Sequence, residues 1–62
     1  MISNESALMA VQDGRYLRIE KGLHVGKMGK AIAISPGIPD DYLRIDVEGE
    51  TVTVSTKDVS WA

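Results

Sequence analysis

With 62 residues and no cysteine, the chain is long enough for one small domain and has no disulfide to stabilise it. Its formal net charge of −2 argues against tight non-specific binding to nucleic acid, because such binding depends on neutralising phosphates. The first residues lack a basic segment followed by an apolar run, and no apolar stretch approaches the length of a membrane span. We therefore expect a cytoplasmic protein.

The first predicted element is ambiguous between a strand and a helix. Ala7–Val11 precedes the dipeptide Asp13-Gly14, which is common in hairpin turns, so we expect a strand that pairs with the next one. Alanine, leucine and methionine are also good helix formers, and Asn4 or Ser6 is available as an N-cap. A helix is therefore the alternative.

Two strands with a glycine-rich connection follow. Leu17 and Ile19 alternate with charged residues, the period of two that is typical of a strand with one buried face. Ala31–Ile34 alternates alanine with isoleucine, and we expect its last isoleucine to face the core. Between these strands lie Gly22, Gly26 and Gly29, and this spacing predicts a connection that turns tightly.

The next segment, Ser35–Asp40, contains both prolines of the chain. Because proline cannot donate to a sheet ladder, this segment predicts an exposed loop, with Ile38 at its tip. Tyr42–Val47 and Thr51–Ser55 then alternate apolar with polar residues on either side of a glycine-bearing turn, which predicts a hairpin. After a short break, Val59–Trp61 returns to the alternation and is expected to form an edge strand.

The charges are distributed unevenly along these elements. Residues 15–30 contain five cations and one acid, whereas residues 31–62 contain two cations and six acids. Two interpretations are open: opposite charges meet across neighbouring strands, or the basic part forms a face that is available to a polyanion.

Several of these residues together resemble a known family. The matching positions are Gly22, Gly26, Lys27 and Gly29, then Ala31, Ile32 and Ile34, and the turn Val47-Glu48-Gly49. They resemble the KOW motif and the wider set of SH3-like small barrels, over the range from Gly14 to Trp61. The resemblance implies an all-β fold: a five-stranded SH3-like antiparallel barrel of residues 14–62, preceded by residues 1–13 as a short strand or helix, in a single domain.

The same resemblance implies loops that contact RNA, DNA or proteins of the transcription and translation machinery. A chain this short also resembles phage or plasmid products that bind a host machine. We therefore expect a non-enzymatic module that associates with nucleic acid or with a nucleic-acid-associated complex. The alternative is a protein adaptor or a host-directed inhibitor without nucleic-acid contact, and self-association through the Val59–Trp61 edge is a further option.

No constellation of residues in the sequence specifies a reaction. His24 is the only histidine and cysteine is absent, so neither a usual zinc site nor a thiol nucleophile with a histidine base is available. The acidic pairs of the second half flank turns, where carboxylates are favoured by solvation. We expect no enzyme activity, no metal and no cofactor.

The residues that we expect to contact nucleic acid or a partner are cations, a histidine and two apolar side chains. They are Arg15, Arg18, Lys21, His24, Lys27, Met28, Lys30 and Ile38. Five of them, the arginines and lysines, are expected to project from one side of the barrel.

Overall fold

The structure is a computed structural model that describes residues 1–62. One helix, α1 (Asn4–Asp13), precedes five strands. The strands are β1 (Tyr16–Ile19), β2 (Met28–Ser35), β3 (Tyr42–Val47), β4 (Glu50–Ser55) and β5 (Val59–Trp61), with a 3-10 turn at Thr56–Asp58 between the last two. No helix in the chain is long and apolar enough to cross a membrane.

The five strands form one antiparallel sheet in the order β4-β3-β2-β1-β5. The prediction of five antiparallel strands is confirmed. The two outer strands, β4 and β5, do not pair with each other, so the sheet is not closed and the expected SH3-like barrel is not confirmed. The fold is mostly strand with one helix, rather than strand alone.

The N-terminal strand that we expected over Ala7–Val11 is wrong, since these residues belong to α1. The helix begins after Ser3, whose hydroxyl oxygen accepts a hydrogen bond of 3.0 Å from the Ser6 amide. Such an N-cap satisfies one of the amides that lack a partner in the first turn. The cap is thus Ser3, and neither Asn4 nor Ser6 takes that role.

The helix ends at Gly14 because this residue adopts a left-handed conformation with φ +64°. The Gly14 amide donates to the Val11 carbonyl at 3.3 Å, and the Arg15 amide donates to the Ala10 carbonyl at 2.8 Å. This pair of bonds is a Schellman motif, the usual termination at a glycine. The Asp13-Gly14 dipeptide therefore ends a helix, instead of turning a hairpin.

The core lies between the inner face of the sheet and α1. Its members are Ile2, Ala7, Ala10, Leu17, Ile19, Ala31, Leu43, Ile45, Val47, Val52 and Val59. Ile34 and Val54 are half-buried and pack against this cluster. The alternation predicted for β1, β3 and β4 is confirmed, because their inward positions supply most of the core.

Strand β2 begins at Met28, three residues before the predicted start at Ala31, and therefore includes Gly29. Gly29 faces the core opposite Leu17. A Cβ atom at Gly29 would lie against Ile45 Cγ2, 2.5 Å from the Asp46 carbonyl oxygen and 2.8 Å from Val47 Cγ2. This glycine thus allows close packing of β2 on β3, and it is not part of a turn as we had predicted.

A bulge interrupts the pairing of β2 with β3 between Ala31 and Ala33. Ala31 lies opposite Ile45 and Ala33 lies opposite Arg44, so the intervening Ile32 has no partner residue on β3. Ile32 is 45% exposed and Ala31 is buried, and after the bulge Ile34 lies opposite the core residue Leu43. A bulge bends the strand that carries it, and this one changes the face to which β2 directs its side chains.

The β3–β4 hairpin is confirmed, with a two-residue loop at Glu48-Gly49. Both loop residues have positive φ, +53° at Glu48 and +87° at Gly49, which is the type I′ geometry that suits the twist of a hairpin. The Asp46 side chain stabilises the loop by accepting a 3.0 Å hydrogen bond from the Gly49 amide through Oδ1.

Candidate binding surface

The side of β1 and β2 that faces away from the core carries adjacent cationic and apolar side chains. Tyr16 lies directly opposite Lys30, and Arg18 lies directly opposite Met28. Tyr16 is 60% exposed and Met28 is 51% exposed. The Arg18 guanidinium donates to the Met28 sulfur, with Nη2 3.9 Å from Sδ. The register and this contact bring an aromatic ring, a thioether and two cations to one face of the sheet.

Strand β3 extends this surface. Ile32 at the bulge and Arg44 on β3 are both exposed on the same side of the sheet. We call the six residues the outer patch: Tyr16, Arg18, Met28, Lys30, Ile32 and Arg44. Our list of candidate residues omitted Arg44 because it lies in the acidic half of the chain, although its alternation with Leu43 and Ile45 was a usable signal.

One acid borders the outer patch. Asp46 lies directly opposite Lys30 in the β2–β3 register. No ion pair forms between the two side chains: Asp46 Oδ1 accepts a hydrogen bond from the Gly49 amide, and the Lys30 side chain lies close to Gly14. The interpretation in which opposite charges meet across strands is therefore not confirmed at this pair. Arg18 has Met28 on one side and Ser60 on the other, so neither of its cross-strand neighbours carries a charge.

Arg15 does not join the outer patch. Its carbonyl accepts a hydrogen bond from the Ala31 amide, and its guanidinium carbon lies 4.8 Å from the centroid of the Trp61 ring. Trp61 lies opposite Leu17, a core residue, so both side chains lie on the core side of the sheet. Arg15 is two residues before Leu17 and faces the same side, whereas Arg18 faces the opposite side. The prediction that five cations project from one side is therefore wrong for Arg15.

The connection between β1 and β2 places the other predicted basic residues. Lys21 and Lys27 are exposed in it and His24 is half-buried. The chain closes on itself through the Gly26 amide, which donates to the Ile19 carbonyl at 2.7 Å. The tight turning that we predicted from the glycines is confirmed at Gly22 and Gly26, which have positive φ.

A groove of about 440 Å³ separates this connection from β4. Its apolar lining includes Ile19, Val52 and Val54, and its polar lining includes Lys21, His24, Lys57 and Asp58. The Asp58 Oδ1 atom is buried and has no hydrogen-bond partner. Sequence reasoning missed Lys57 and Asp58, because nothing in the sequence indicates that the turn after β4 lies near the β1–β2 connection.

Ile38 lies in the exposed loop between β2 and β3, as predicted, and is 95% exposed. This loop follows Ser35, the end of β2 that is remote from Met28 and the outer patch. Ile38 is therefore a separate exposed apolar position. Among the acidic residues and His24, no group of three or more is placed to hold a metal ion.

Comparison with known proteins identifies no family for this chain. No protein-family model, curated protein or solved structure matches the chain. The resemblance to KOW and SH3-like proteins stays a prediction.

Proposed function

We propose that the protein is a non-enzymatic binding module whose outer patch contacts a single strand of nucleic acid, alone or within a transcription or translation complex. The observation that carries this proposal is the exposed ring of Tyr16 between cations on one sheet face, with Lys30 directly opposite it and Arg18 next but one along β1.

The chemistry of the outer patch fits such a strand. A base can stack on an exposed aromatic ring, and this contact is sequence-tolerant because every base has a π-face. Arg18, Lys30 and Arg44 supply positive charge for the phosphates that flank a stacked base. Met28 and Ile32 add exposed apolar surface between these cations.

The charge distribution of the whole chain limits the mode of binding. With a net charge of −2, the protein has no general attraction for polyanions, so contact must be confined to a local basic surface. The residues that resemble the KOW motif, among them Lys27 and Gly29, lie at the start of β2 beside the outer patch. The resemblance and the local charge therefore support the same surface.

Fluorescence anisotropy with a labelled single-stranded oligonucleotide tests the proposal. Tyr16→Ala and Arg18→Gln are expected to weaken binding, whereas Lys57→Gln, which removes an equal charge in the remote groove, is the matched control. Equal losses for Arg18→Gln and Lys57→Gln would indicate a non-specific charge effect. No binding by the wild-type chain at low salt would refute the proposal.

A protein adaptor or host-directed inhibitor is the second candidate function. Leu23 in the β1–β2 connection is 93% exposed and Ile38 is 95% exposed, and large apolar side chains this free of contacts suit the pockets of a protein partner. Affinity purification with and without nuclease separates the two functions. The adaptor would be favoured if a partner protein is still retained after nuclease treatment and is no longer retained by Leu23→Ser or Ile38→Ser.

A further inference from the structure

Strand β4 has one edge without a partner, and the geometry of its hairpin shows which backbone groups lie there. A two-residue loop is closed by a pair that exchanges both backbone hydrogen bonds, here Val47 and Glu50. In an antiparallel ladder such pairs recur at every second residue, which gives Ile45 with Val52 and Leu43 with Val54.

A further contact confirms which residue pairs of β3 and β4 exchange hydrogen bonds. The Thr56 amide donates to the Asp41 carbonyl at 3.0 Å, which continues the same series beyond the end of β4. The amide and carbonyl groups of the intervening residues, Thr51, Thr53 and Ser55, therefore point away from β3 toward the open side of the sheet.

This edge has none of the features that usually prevent a sheet from pairing with another chain. Thr51–Ser55 contains no charged residue and no proline, and four of its five residues are β-branched. Natural edge strands are commonly short, charged or interrupted by a bulge. The opposite edge is protected in this way, because β5 has only three residues, whereas β4 has six.

We propose that β4 pairs with β4 of a second copy of this chain, antiparallel and around a two-fold axis at Thr53. In this register Thr53 faces the partner's Thr53, and their outward backbone groups form one hydrogen-bonded pair. Thr51 faces the partner's Ser55 and forms the next such pair. All five uncharged residues of the edge are then matched.

The same register suits the side chains on the inner face. Val52 faces the partner's Val54, so apolar side chains meet in each copy beside the groove that Ile19 also lines. A register shifted by one residue would place Val52 opposite the partner's Thr53 or Ser55. The apolar face of one sheet would then meet the polar face of the other.

Charge complementarity also favours a second copy as the occupant. Directly after Ser55 the chain enters the 3-10 turn that carries Lys57, at the end of the paired strands where the partner's β4 begins with Glu50. Each copy contributes one such approach, so two attractive contacts lie at the ends of the paired strands. No like charges face each other between them.

The test combines mass measurement with a charge exchange at the two-fold axis. By light scattering in the absence of nucleic acid, the wild-type mass is expected to rise with concentration from 6.7 kDa toward twice that value. Thr53→Lys and Thr53→Glu should each remain monomeric, because a like charge then faces its own copy. A mixture of the two variants should recover the dimer.

The matched control is Ser60→Lys, the same charge placed on the β5 edge, which should leave the dimer intact. Wild-type amide exchange gives a second readout that needs no variant: the amides of Thr51, Thr53 and Ser55 should become protected as concentration rises. A mass of 6.7 kDa at every concentration with these amides unprotected would overturn the proposal. So would a dimer that Ser60→Lys disrupts and Thr53→Lys leaves intact.

Discussion

The guanidinium of Arg15 lies over the indole of Trp61, with its central carbon 4.8 Å from the ring centroid. The contact joins the residue before β1 to the last residue of β5 and so helps to fix the C-terminal strand. A cation over an exposed aromatic ring is worth about 0.5–1 kcal/mol. Arg15 therefore has a structural role, whereas Arg18 and Lys30 are available to a ligand.

Arg15→Gln is therefore expected to lower the free energy of unfolding by about 0.5–1 kcal/mol and to leave oligonucleotide affinity close to that of the wild type. Urea titration followed by circular dichroism measures the first effect and anisotropy the second. Lys27→Gln, which removes an exposed loop cation, is the control for stability. A loss of affinity as large as that of Arg18→Gln would contradict the separation of these two arginines.

Gly29→Ala is expected to destabilise the protein by about 1–3 kcal/mol, the usual range for an overpacked core. The added methyl group would meet Ile45 and the backbone of Asp46, and neither can move without disturbing β3. Thermal and urea unfolding measure the loss. Gly22→Ala is the control. A Cβ at Gly22 meets no other atom, so this substitution measures only the backbone strain of placing alanine at a φ of +95°.

Asn4 connects the start of α1 to the end of the chain. Its Oδ1 accepts hydrogen bonds from the Thr56 hydroxyl at 3.3 Å and from the Asp41 amide at 3.4 Å. Thr56 is buried, so Asn4→Ala leaves its hydroxyl without this acceptor and should cost about 1–3 kcal/mol.

A double-mutant cycle tests that assignment. Because Thr56→Val removes the buried hydroxyl, the loss in Asn4→Ala/Thr56→Val should be smaller than the sum of the two single losses. Gln12→Ala, at an exposed position of α1, should change stability by less than about 0.5 kcal/mol. Additive losses in the cycle would show that Asn4 and Thr56 act independently.

Glu48 adopts φ +53° in the type I′ loop, a conformation that is unfavourable for glutamate and favourable for asparagine. Glu48→Asn is expected to raise the free energy of unfolding by up to about 1 kcal/mol, a part of the roughly 1–2 kcal/mol that a left-handed conformation costs. Glu50→Gln, which removes the neighbouring charge outside the loop, separates this gain from a charge effect. An equal gain in both variants would assign the effect to charge.

The sequence predicted those parts of the fold that depend on neighbouring residues. The β3–β4 hairpin and the exposed loop around Ile38 follow from alternation and from proline and glycine placement. The N-terminal element was mispredicted because Asp13-Gly14 suits both a hairpin turn and a helix end, and the choice depends on packing of Ala7 and Ala10 against a sheet formed later in the chain. The bulge at Ile32 and the open edge of β4 likewise depend on contacts between distant segments.

The candidate site was predictable in part. Alternation alone places Arg18 on the outward side of β1, and it also separates Arg15 from Arg18, since residues three apart on a strand lie on opposite faces. The same alternation therefore contradicts the prediction that Arg15 projects with the other cations. Alternation fails for Lys30, because alternation from an inward Ile34 turns Lys30 inward, and the bulge between Ala31 and Ala33 reverses this. The groove beside Lys57 and Asp58 could not be predicted, because it forms between a loop and a turn that are more than thirty residues apart.

The salt dependence of oligonucleotide binding tests the proposed function most directly. If Arg18, Lys30 and Arg44 each contact one phosphate of a single strand, log affinity should fall with log salt with a slope of about −2. Arg18→Gln should make that slope about 0.7 less steep, and Lys57→Gln should leave it unchanged. Affinity that does not depend on salt, or an equal change of slope in both variants, would contradict binding through the outer patch.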